Sequence, residues 1–524
     1  MKFNTAGPCY PTLHYMLPPL ERLPEACEFI RDGEYFVVHA PRQTGKTTTL
    51  ANLARQLRAE GDYVALHFSC EIAEVVGDDF ARAEELILDR IREAADNADL
   101  APELLPPTPW PDSAPGSRLG AGLKAWVSAS AKPLVLFFDE IDALRGQSLR
   151  SVLRQLRDGF TTNRAGFAHS IVLCGLRDVR DYKVASGGDP SRLGTSSPFN
   201  IKVASVRIGD FTRDEVGTLY AQHTTATGQE FTERAVDLAF YYTQGQPWLV
   251  NALAYEITRV MRISETITED HVDTAKERLI LARATHLDSL VSKLQEPRVR
   301  AVIQPLLAGG DLAGDAALDE AVSYVTDLGL ITQRNPVRIA NPIYNEVIVR
   351  VLAANIERSV LAEPASFRLP DGRLDFHLLL TEFAAFWKLN GEIIEAKQDY
   401  HEVAPQLVFL AFLQRVVNGG GYIDREYGVG RGRMDLLVRQ PYTDSDGHRA
   451  IQREAVELKV WADNSADPLE AGAAQLDGYL DRLELPTGVL IIFDRRTTVE
   501  PMTDRISFSD TTTPAGRTIT LLRA

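Results

Sequence analysis

Residues 35–50 read Tyr-Phe-Val-Val-His-Ala-Pro-Arg-Gln-Thr-Gly-Lys-Thr-Thr-Thr-Leu, a succession that predicts a buried strand, a short loop and a helix. The aromatic and apolar run Tyr35–Val38 favours a strand, and the spacing of the leucines from Leu50 onward favours a helix. Gly45-Lys46-Thr47 lies where the loop meets the helix. Strand, loop, Gly-Lys-Thr and helix in this order are typical of the phosphate-binding loop of a nucleotide hydrolase.

The chemistry of such a loop gives a role to its residues. Backbone N–H groups and the helix N-terminus would hold the phosphates of ATP, Lys46 would reach the β and γ oxygens, and the Thr47 hydroxyl would bind Mg²⁺. The consensus loop opens with glycine, whereas this chain has Ala40, so a chance Gly-Lys-Thr after a strand is the alternative. The predicted nucleotide-binding residues of the loop are Pro41, Arg42, Gln43, Thr44, Gly45, Lys46, Thr47 and Thr48.

The composition is that of an ordinary globular protein, with 45% hydrophobic and 24% charged residues. The formal net charge is −16, so no global basic field attracts nucleic acid, and such binding would depend on local clusters of Arg and Lys. We find no secretory leader and no apolar run of the roughly 18 residues that span a membrane. Four scattered cysteines without a CxxC motif predict reduced thiols and a cytoplasmic protein.

Further strands are predicted along the first 200 residues, at Asp62–Ser69, Pro133–Asp142 and Ser170–Gly175, with helical patterns between them. This alternation predicts an α/β fold with a parallel sheet and helices on both faces. Ligands of such sheets bind at the carboxyl ends of the strands. The segment Ala101–Gly122, rich in Pro, Gly and Ser, is predicted to be a surface loop or an insertion.

Two acids follow the third predicted strand at the edge where the phosphate-binding loop also lies. Asp139 would hold Mg²⁺ through water, and Glu140 would polarise the water that attacks the γ-phosphate. The alternative is a pair of surface acids that end a strand. Arg177 and Arg180, after the fourth strand, are candidates for sensing the γ-phosphate, although such arginines more often pair with nearby acids.

The opening Phe3-Asn-Thr-Ala-Gly-Pro-Cys-Tyr-Pro-Thr-Leu-His-Tyr15, the loop with Ala40, and Thr243-Gln-Gly-Gln-Pro-Trp-Leu249 resemble bacterial AAA-like ATPases near the STAND and archaeal-ATPase groups. The resemblance covers about residues 1–350. It implies that Gly245 and Pro247 lie beside the nucleotide at the start of a lid helix; an ordinary Gly/Pro helix start is the alternative. AAA-type sites often need an arginine from a neighbouring subunit, so a homo-oligomer is a candidate assembly.

Changes in pattern along the chain predict five segments. Residues 1–210 would form the ATPase domain and residues 211–290 a helical lid. Residues 291–352, helices followed by a hairpin that turns at Arg334-Asn335-Pro336, would form a winged-helix-like module. Residues 353–385 would be a connector, and residues 386–524 a second α/β domain.

A second set of polar residues lies in the last of these segments. Asp435 opens one predicted strand and Glu457-Leu-Lys459 lies on the next, so the three polar side chains share one face of a sheet. Asp435 and Glu457 would hold one or two divalent cations, and Lys459 would orient or activate water for phosphodiester hydrolysis. Exposed strands often carry Glu-x-Lys as a solvated ion pair, but this strand is otherwise apolar, and unpaired charge is costly in a buried strand.

The order of these residues is similar to the PD-(D/E)XK nuclease superfamily, including its RecB-like members with a Gln-x-x-x-Tyr helix, over about residues 390–495. The resemblance implies catalytic roles for Gln475 and Tyr479, and a further metal-binding acid at Glu402, with Glu395 as the alternative. A decayed nuclease fold that is kept as an interaction domain is the competing interpretation.

Residues 386–524 contain 16 Lys and Arg against 21 Asp and Glu, a balance that argues against strong non-specific DNA affinity. Several arginines nevertheless cluster near the predicted site: Arg425, Arg431, Arg433, Arg495 and Arg496.

Together the patterns predict an ATPase that controls a nuclease, with ATP and Mg²⁺ or Mn²⁺ as cofactors and DNA as the expected substrate. Defence against phage or foreign DNA is the expected role by analogy, and an activating protein is a candidate partner. The alternative is a regulatory NTPase switch whose C-terminal domain binds nucleic acid or a protein without cutting. A DNA-translocating motor with an attached nuclease is a second alternative, disfavoured because no helicase-type motifs accompany the two nucleotide motifs.

Overall fold

A computed structural model describes most of the chain, in stretches separated by gaps. The described residues are 1–176, 201–282, 287, 290, 292–307, 320–333, 336–357, 364–397, 404–417, 421–429, 432–444, 447–463, 465–496 and 502–524. They divide into two units, the first formed by Met1–Ala282 with Ser323–Gln333 and the second by Arg283–Val322 with Arg334–Ala524.

Five parallel strands form the sheet of the first unit, in the order β2-β3-β4-β1-β5. Their bounds are Phe36–His39 for β1, Val64–Ser69 for β2, Leu134–Asp139 for β3, Ser170–Gly175 for β4 and Ser205–Arg207 for β5. Every residue of β3 and β4 is buried, as expected for strands that helices cover on both faces. The predicted parallel α/β sheet is confirmed, and β5 is a short strand that the sequence did not indicate.

Alternate residues of these strands face two different cores. Leu50 and Leu53 of the first long helix pack with Ala65 and Phe137 on one face. On the opposite face the core contains Ile87. The helices around this sheet span Ala26–Arg31, Lys46–Glu60, Phe80–Asn97, Arg118–Ala129 and Gly146–Thr162.

The predicted all-helical segment after β5 is helical in the structure. Its helices span Arg213–Thr227, Glu233–Thr243, Pro247–Tyr255 and Glu269–Ala282, and a π-helix, Glu256–Val260, continues the third of them. Thr212 and Glu215 form a reciprocal capping box at the first helix, as their three-residue spacing predicts.

The second unit contains a six-stranded mixed sheet in the order β10-β11-β9-β8-β7-β6. The strands are Tyr422–Val429 (β6), Gly432–Thr443 (β7), Arg449–Trp461 (β8), Val489–Asp494 (β9), Ser507–Thr512 (β10) and Thr518–Arg523 (β11). β6, β7 and β8 pair antiparallel, β8, β9 and β11 pair parallel, and β10 is antiparallel to β11.

Helices cover both faces of the second sheet. Phe376–Lys397 and Ala404–Val417 pack on the face that contains Val456 and Leu458. Leu469–Leu483 packs on the other face, which carries Asp435, Glu457 and Lys459 by strand alternation. The remaining helices span Pro297–Leu307, Glu320–Asp327, Pro342–Glu357 and Met502–Arg505.

The two units do not follow the predicted segment boundaries. The helix Phe376–Lys397 crosses the expected boundary at residue 386, because Leu379 and Phe383 belong to the same core as Val456. The segment predicted as a winged-helix-like module is divided between the two units. The turn of its predicted hairpin, Arg334-Asn335, lies outside the described residues.

In the described stretches of the chain we find no helix that is both long and apolar enough to cross a membrane.

Candidate active sites

The loop between β1 and the Lys46–Glu60 helix surrounds the ammonium group of Lys46. Gly45 has a φ of 90° as the residue before the helix, and Gln43 has a φ of 61°. Lys46 Nζ donates to the carbonyl oxygens of Ala40 and Pro41, at 2.8 Å each. Within the described residues no acid forms an ion pair with Lys46, so its charge is available to an anion at the helix N-terminus.

A hydroxyl, a carboxylate and an imidazole meet at the carboxyl ends of β2 and β3. Thr47 Oγ1 donates to Asp139 Oδ2 at 2.7 Å, and His67 Nε2 lies 3.0 Å from the same oxygen. The side chain of Asp139 is buried. Burial acts to raise the pKa of this carboxyl, but the hydrogen bonds from His67 and Thr47 outweigh it and hold the pKa below its ordinary value. Asp139 is therefore a buried anion directed at the loop threonine.

Glu140 is held in a left-handed backbone conformation, with a φ of 52°. Ser69 Oγ donates to Glu140 Oε2 at 2.7 Å, and the Glu140 N–H donates to Asp139 Oδ1 at 2.9 Å. Burial, followed by the nearby carboxylates of Glu71 and Asp139, raises the pKa of Glu140 above its ordinary value. A carboxylate with a raised pKa takes up a proton more readily, which suits a general base.

Arg22 joins the loop to the segment Gly209–Phe211, and no local sequence pattern indicates this contact. Its guanidinium donates to the carbonyl oxygen of Thr44 at 2.8 Å and to that of Gly209, and it lies 4.8 Å from the ring centroid of Phe211. Burial lowers the pKa of Arg22. The Phe211 N–H in turn donates to the carbonyl oxygen of Gly245 at 2.8 Å.

Gly245 and Pro247 lie at the start of the Pro247–Tyr255 helix. Gly245 has a φ of 79°, and a Cβ there would lie 1.8 Å from the Phe211 carbonyl oxygen, so only glycine fits. Pro247 is the first residue of the helix, and the Gln246 side chain accepts from the Leu249 N–H at 2.6 Å. These contacts explain both residues as a helix start; their predicted contact with a nucleotide stays a prediction.

The opening segment of the chain reaches the same region. The Cys9 N–H donates to Thr48 Oγ1 at 3.0 Å, and Trp248 Nε1 donates to the Thr5 carbonyl oxygen at 2.9 Å. The N-terminal segment therefore contacts both the Lys46–Glu60 helix and the Pro247–Tyr255 helix of the first unit.

In the second unit the sheet brings the predicted residues together. Leu436 pairs with Val456, so Asp435 and Glu457 are the next residues along adjacent strands. Asp435 Oδ2 accepts from the Leu458 N–H at 2.8 Å. Lys459 Nζ donates to Glu457 Oε1 at 2.6 Å.

The helix over this face completes the cluster. Lys459 Nζ donates to Gln475 Oε1 at 3.0 Å, and Gln475 Nε2 donates to the Tyr479 hydroxyl at 3.1 Å. Because Gln475 and Tyr479 are four residues apart on the Leu469–Leu483 helix, they share one face of it. Five of the six residues predicted for this site are therefore adjacent.

Glu457 is the most unusual residue of the cluster. Its side chain is 0% exposed, and its Oε2 is buried without a hydrogen-bond partner among the described residues. Burial, followed by the charge of Asp435, raises the pKa of Glu457 to about 7. A buried carboxylate oxygen without a donor is costly unless a cation or a proton binds it.

Several predicted residues lie outside the described part of the chain: Arg177, Arg180, Glu402 and Arg431. Glu395 lies in the Phe376–Lys397 helix, and Arg425 and Arg433 lie on β6 and β7. Arg496 is paired with Asp494 at 2.6 Å and lies over the Trp461 ring, 3.4 Å from its centroid.

Three solved structures are similar to part of this chain. The Walker-type ATPase of Pyrococcus abyssi is 13% identical with a TM-score of 0.48, over 66% of this chain and 99% of that one. The ORC2 protein of Aeropyrum pernix is 14% identical with a TM-score of 0.38, over 64% and 92%. The RuvB Holliday junction branch migration motor of Thermotoga maritima is 14% identical with a TM-score of 0.34, over 63% and 93%.

No curated protein matches the chain in sequence. Residues 19–165 match the family model of the AAA ATPase domain. This range contains the phosphate-binding loop, Asp139 and Glu140, and it ends after the Gly146–Thr162 helix. The chain therefore carries an AAA-type ATPase domain in its N-terminal part.

Proposed function

We propose that this chain hydrolyses ATP and that its nucleotide state controls a metal-dependent nuclease in the second unit, with DNA as the expected substrate. The observation that carries the nuclease half is the buried Glu457 carboxylate, which lies beside Asp435 and Lys459 and has an oxygen without a partner. The ATPase half is supported by the AAA ATPase domain and by the contacts of its loop.

The residues of the first unit fit a nucleotide with Mg²⁺. Lys46, whose hydrogen bonds go to backbone carbonyls, would exchange them for the β and γ oxygens of ATP. Thr47 and Asp139 present a hydroxyl and a buried carboxylate 2.7 Å apart and would hold Mg²⁺, which neutralises charge on the phosphates when bound. Glu140 would accept the proton of the attacking water.

The residues of the second unit fit a divalent cation. Asp435 and Glu457 offer carboxylate oxygens, the ligands that Mg²⁺ and Mn²⁺ prefer, and the unpartnered Oε2 of Glu457 is a place where a cation would replace a missing donor. A bound cation would supply charge stabilisation for the phosphodiester transition state. Lys459 would orient water, and Gln475 with Tyr479 would hold the Lys459 ammonium in position.

Cleavage assays with a lysine variant test the nuclease half. Linear, circular and single-stranded DNA, and RNA, are incubated with Mg²⁺ or Mn²⁺, using the wild type beside Lys459→Ala. Lys388→Ala, which changes an exposed lysine of the same unit, is the control. We expect cleavage by the wild type and by the control, and a loss of at least about 100-fold in Lys459→Ala.

The switch interpretation predicts a different result. The acidic balance of residues 386–524 weakens non-specific attraction to DNA, which suits a domain that binds one partner. If ATP is hydrolysed while all four nucleic acids stay intact with either metal, the nuclease proposal fails, and the switch becomes the better account.

A further inference from the structure

A cleft of about 680 Å³ opens along β2, which is the edge strand of the first sheet. Its floor is Leu66–Ser69 of β2, and its walls are the Lys46–Glu60 helix and the Phe80–Asn97 helix. We call it the edge cleft. The volume lies within the roughly 300–1,000 Å³ of ligand pockets. Because the two helices cover opposite faces of the sheet, the edge cleft lies where the next strand of the sheet would be.

The backbone of β2 faces this space at every second residue. The Val64 N–H donates to Pro133 of the neighbouring segment, and the Cys70 N–H donates to Asp139. Because alternate residues of a parallel strand bond to the same neighbour, the N–H and C=O groups of His67 and Ser69 point away from β3 and toward the edge cleft. Such an edge is a template for a further strand.

One wall of the edge cleft carries positive charge. Arg58 Nη1 donates to the Ala65 carbonyl at 2.6 Å, and Arg55 Nη1 donates to Asn52 Oδ1 at 2.8 Å. Across the parts of the chain that the structure describes, neither guanidinium forms an ion pair with an acid. Burial, followed by the charge of Arg55, lowers the pKa of Arg58, as expected where positive charge is not compensated.

The opposite wall is different in character. Ala94 and Ala98 present small apolar side chains, and Arg90 is paired with Glu93 at 2.5 Å. A strand that lies between the walls directs alternate side chains to each of them. The walls therefore match a segment in which acidic residues facing Arg55 and Arg58 alternate with apolar residues.

The floor of the edge cleft is connected to the ATPase residues. Two residues line the edge cleft and also hold the acids of the nucleotide site: His67 bonds to Asp139, and Ser69 donates to Glu140. A strand bonded to the backbone of His67 and Ser69 would restrict both side chains. An occupant of the edge cleft would thereby change the position of the base that hydrolysis requires.

We propose that the edge cleft is an effector site that binds an extended peptide with alternating acidic and apolar residues, as a further strand on β2, and that its occupancy changes the rate of ATP hydrolysis. Strand addition of this kind obtains affinity from main-chain hydrogen bonds and specificity from alternate side chains. Under this proposal the bound peptide regulates the ATPase. The proposal rests only on the ATPase half of the proposed function.

Peptide binding to the full-length chain tests the site without ATP or nucleic acid. The probes are fluorescein-labelled hexapeptides of alternating Val and Glu and of alternating Val and Lys, followed by fluorescence anisotropy. We expect the Val/Glu peptide to bind more tightly than the Val/Lys peptide. Arg55→Glu should weaken Val/Glu binding about tenfold, whereas Arg31→Glu, on an exposed residue of another helix, should not.

A second variant and a rate measurement complete the test. Ala98→Tyr fills the apolar wall without changing charge and should also reduce Val/Glu binding. Saturating Val/Glu peptide should change the ATP hydrolysis rate of the wild type at least twofold and leave that of Ala98→Tyr unchanged. Equal binding of the two peptides, or binding insensitive to Arg55→Glu, overturns the site. Binding without a change in hydrolysis overturns the control of the ATPase, and neither result bears on the nuclease.

Discussion

Glu457 links the stability of the second unit to pH. Burial and Asp435 raise the pKa of this carboxyl from 4.5 to about 7, so the folded chain binds its proton more tightly than the unfolded chain. The contribution to stability is therefore present at pH 4 and is lost as the pH rises to about 7. We expect Glu457→Gln without divalent metal to raise the free energy of unfolding by about 3 kcal/mol at pH 8 and by little at pH 4.

Thermal or denaturant unfolding at the two pH values measures this difference. Glu470→Gln, on an exposed residue of the same unit, is the matched control and should change stability at neither pH. If Glu457→Gln is less stable than the wild type at pH 8, the prediction is contradicted. The buried Glu457 carboxylate would then stabilise the fold through interactions other than the contacts described.

Glu140 should set the pH at which the rate of ATP hydrolysis falls on the acid side of its pH profile, here called the acid limb. Its pKa is raised by burial and then by Glu71 and Asp139, so the base becomes protonated, and hydrolysis falls, at a higher pH than for an ordinary glutamate. Glu71→Gln removes one neighbouring carboxylate, so the acid limb should move to lower pH while the rate at pH 8 changes little. Glu140→Gln should lose at least about 100-fold in rate at all pH values.

Pre-steady-state or steady-state ATP hydrolysis between pH 5 and pH 9 gives this profile. Glu74→Gln, an exposed acid further along the same turn, is the control for the loss of one surface charge. An acid limb that moves equally in Glu71→Gln and Glu74→Gln would mean that general surface potential, rather than proximity to Glu140, sets its position.

Among single residues, the sequence predicts those whose type is tied to the proposed chemistry. Lys46 and Thr47 follow from a local pattern of strand, loop and helix, and Asp139 follows from the acids at the end of the buried strand β3. His67 and Arg22 did not, because their roles depend on the register of β2 against β3 and on where the N-terminal segment returns to the loop. The residues next to His67 in the sequence do not indicate its contact with Asp139, and those next to Arg22 do not indicate its contact with Thr44.

Among the elements, the start of the Pro247–Tyr255 helix is tightly constrained. Gly245 has a φ of 79°, and a Cβ there would lie 1.8 Å from the Phe211 carbonyl oxygen. Gly228, after the first lid helix, has a φ of 78° with nothing within 4 Å of the added Cβ. We expect Gly228→Ala to cost about 1 kcal/mol, from the left-handed conformation alone, and Gly245→Ala to cost several times more.

Chemical denaturation of the two variants measures both costs, and their difference isolates the clash with Phe211. Because Phe211 also stacks on Arg22, Gly245→Ala should weaken nucleotide binding as well, whereas Gly228→Ala should not. Equal stability of the two variants would contradict the tight approach of Gly245 to Phe211.

Some elements have no pattern to reveal them. Residues 101–122 were predicted as a loop, but the Arg118–Ala129 helix begins inside that range and buries Trp126. One of its glycines has a packing reason: a Cβ on Gly122 would lie 3.0 Å from Leu88 Cδ2. β10 was missed because its residues, Ser507–Thr512, are polar and mostly exposed, so no alternation marks the strand.

At the scale of the whole molecule, the sequence indicated two α/β regions but not the division between the units. The predicted connector, residues 353–385, and the predicted domain, residues 386–524, divide the helix Phe376–Lys397. Its buried residues Leu379, Leu380 and Phe383 belong to the core of the second sheet. A core built from distant parts of the chain is visible only after the chain has folded.

The measurement that tests the central proposal most directly is cleavage of linear DNA with Mg²⁺, with and without ATP, by the wild type, Lys46→Ala and Glu140→Gln. If nucleotide state controls the nuclease, ATP should change the cleavage rate of the wild type but not that of Lys46→Ala. Glu140→Gln, which binds ATP without hydrolysing it, should keep the cleavage rate of the ATP-bound state. Lys459→Ala should cut in none of these conditions. Equal cleavage rates of the wild type, Lys46→Ala and Glu140→Gln, with and without ATP, would contradict control of the nuclease by the ATPase.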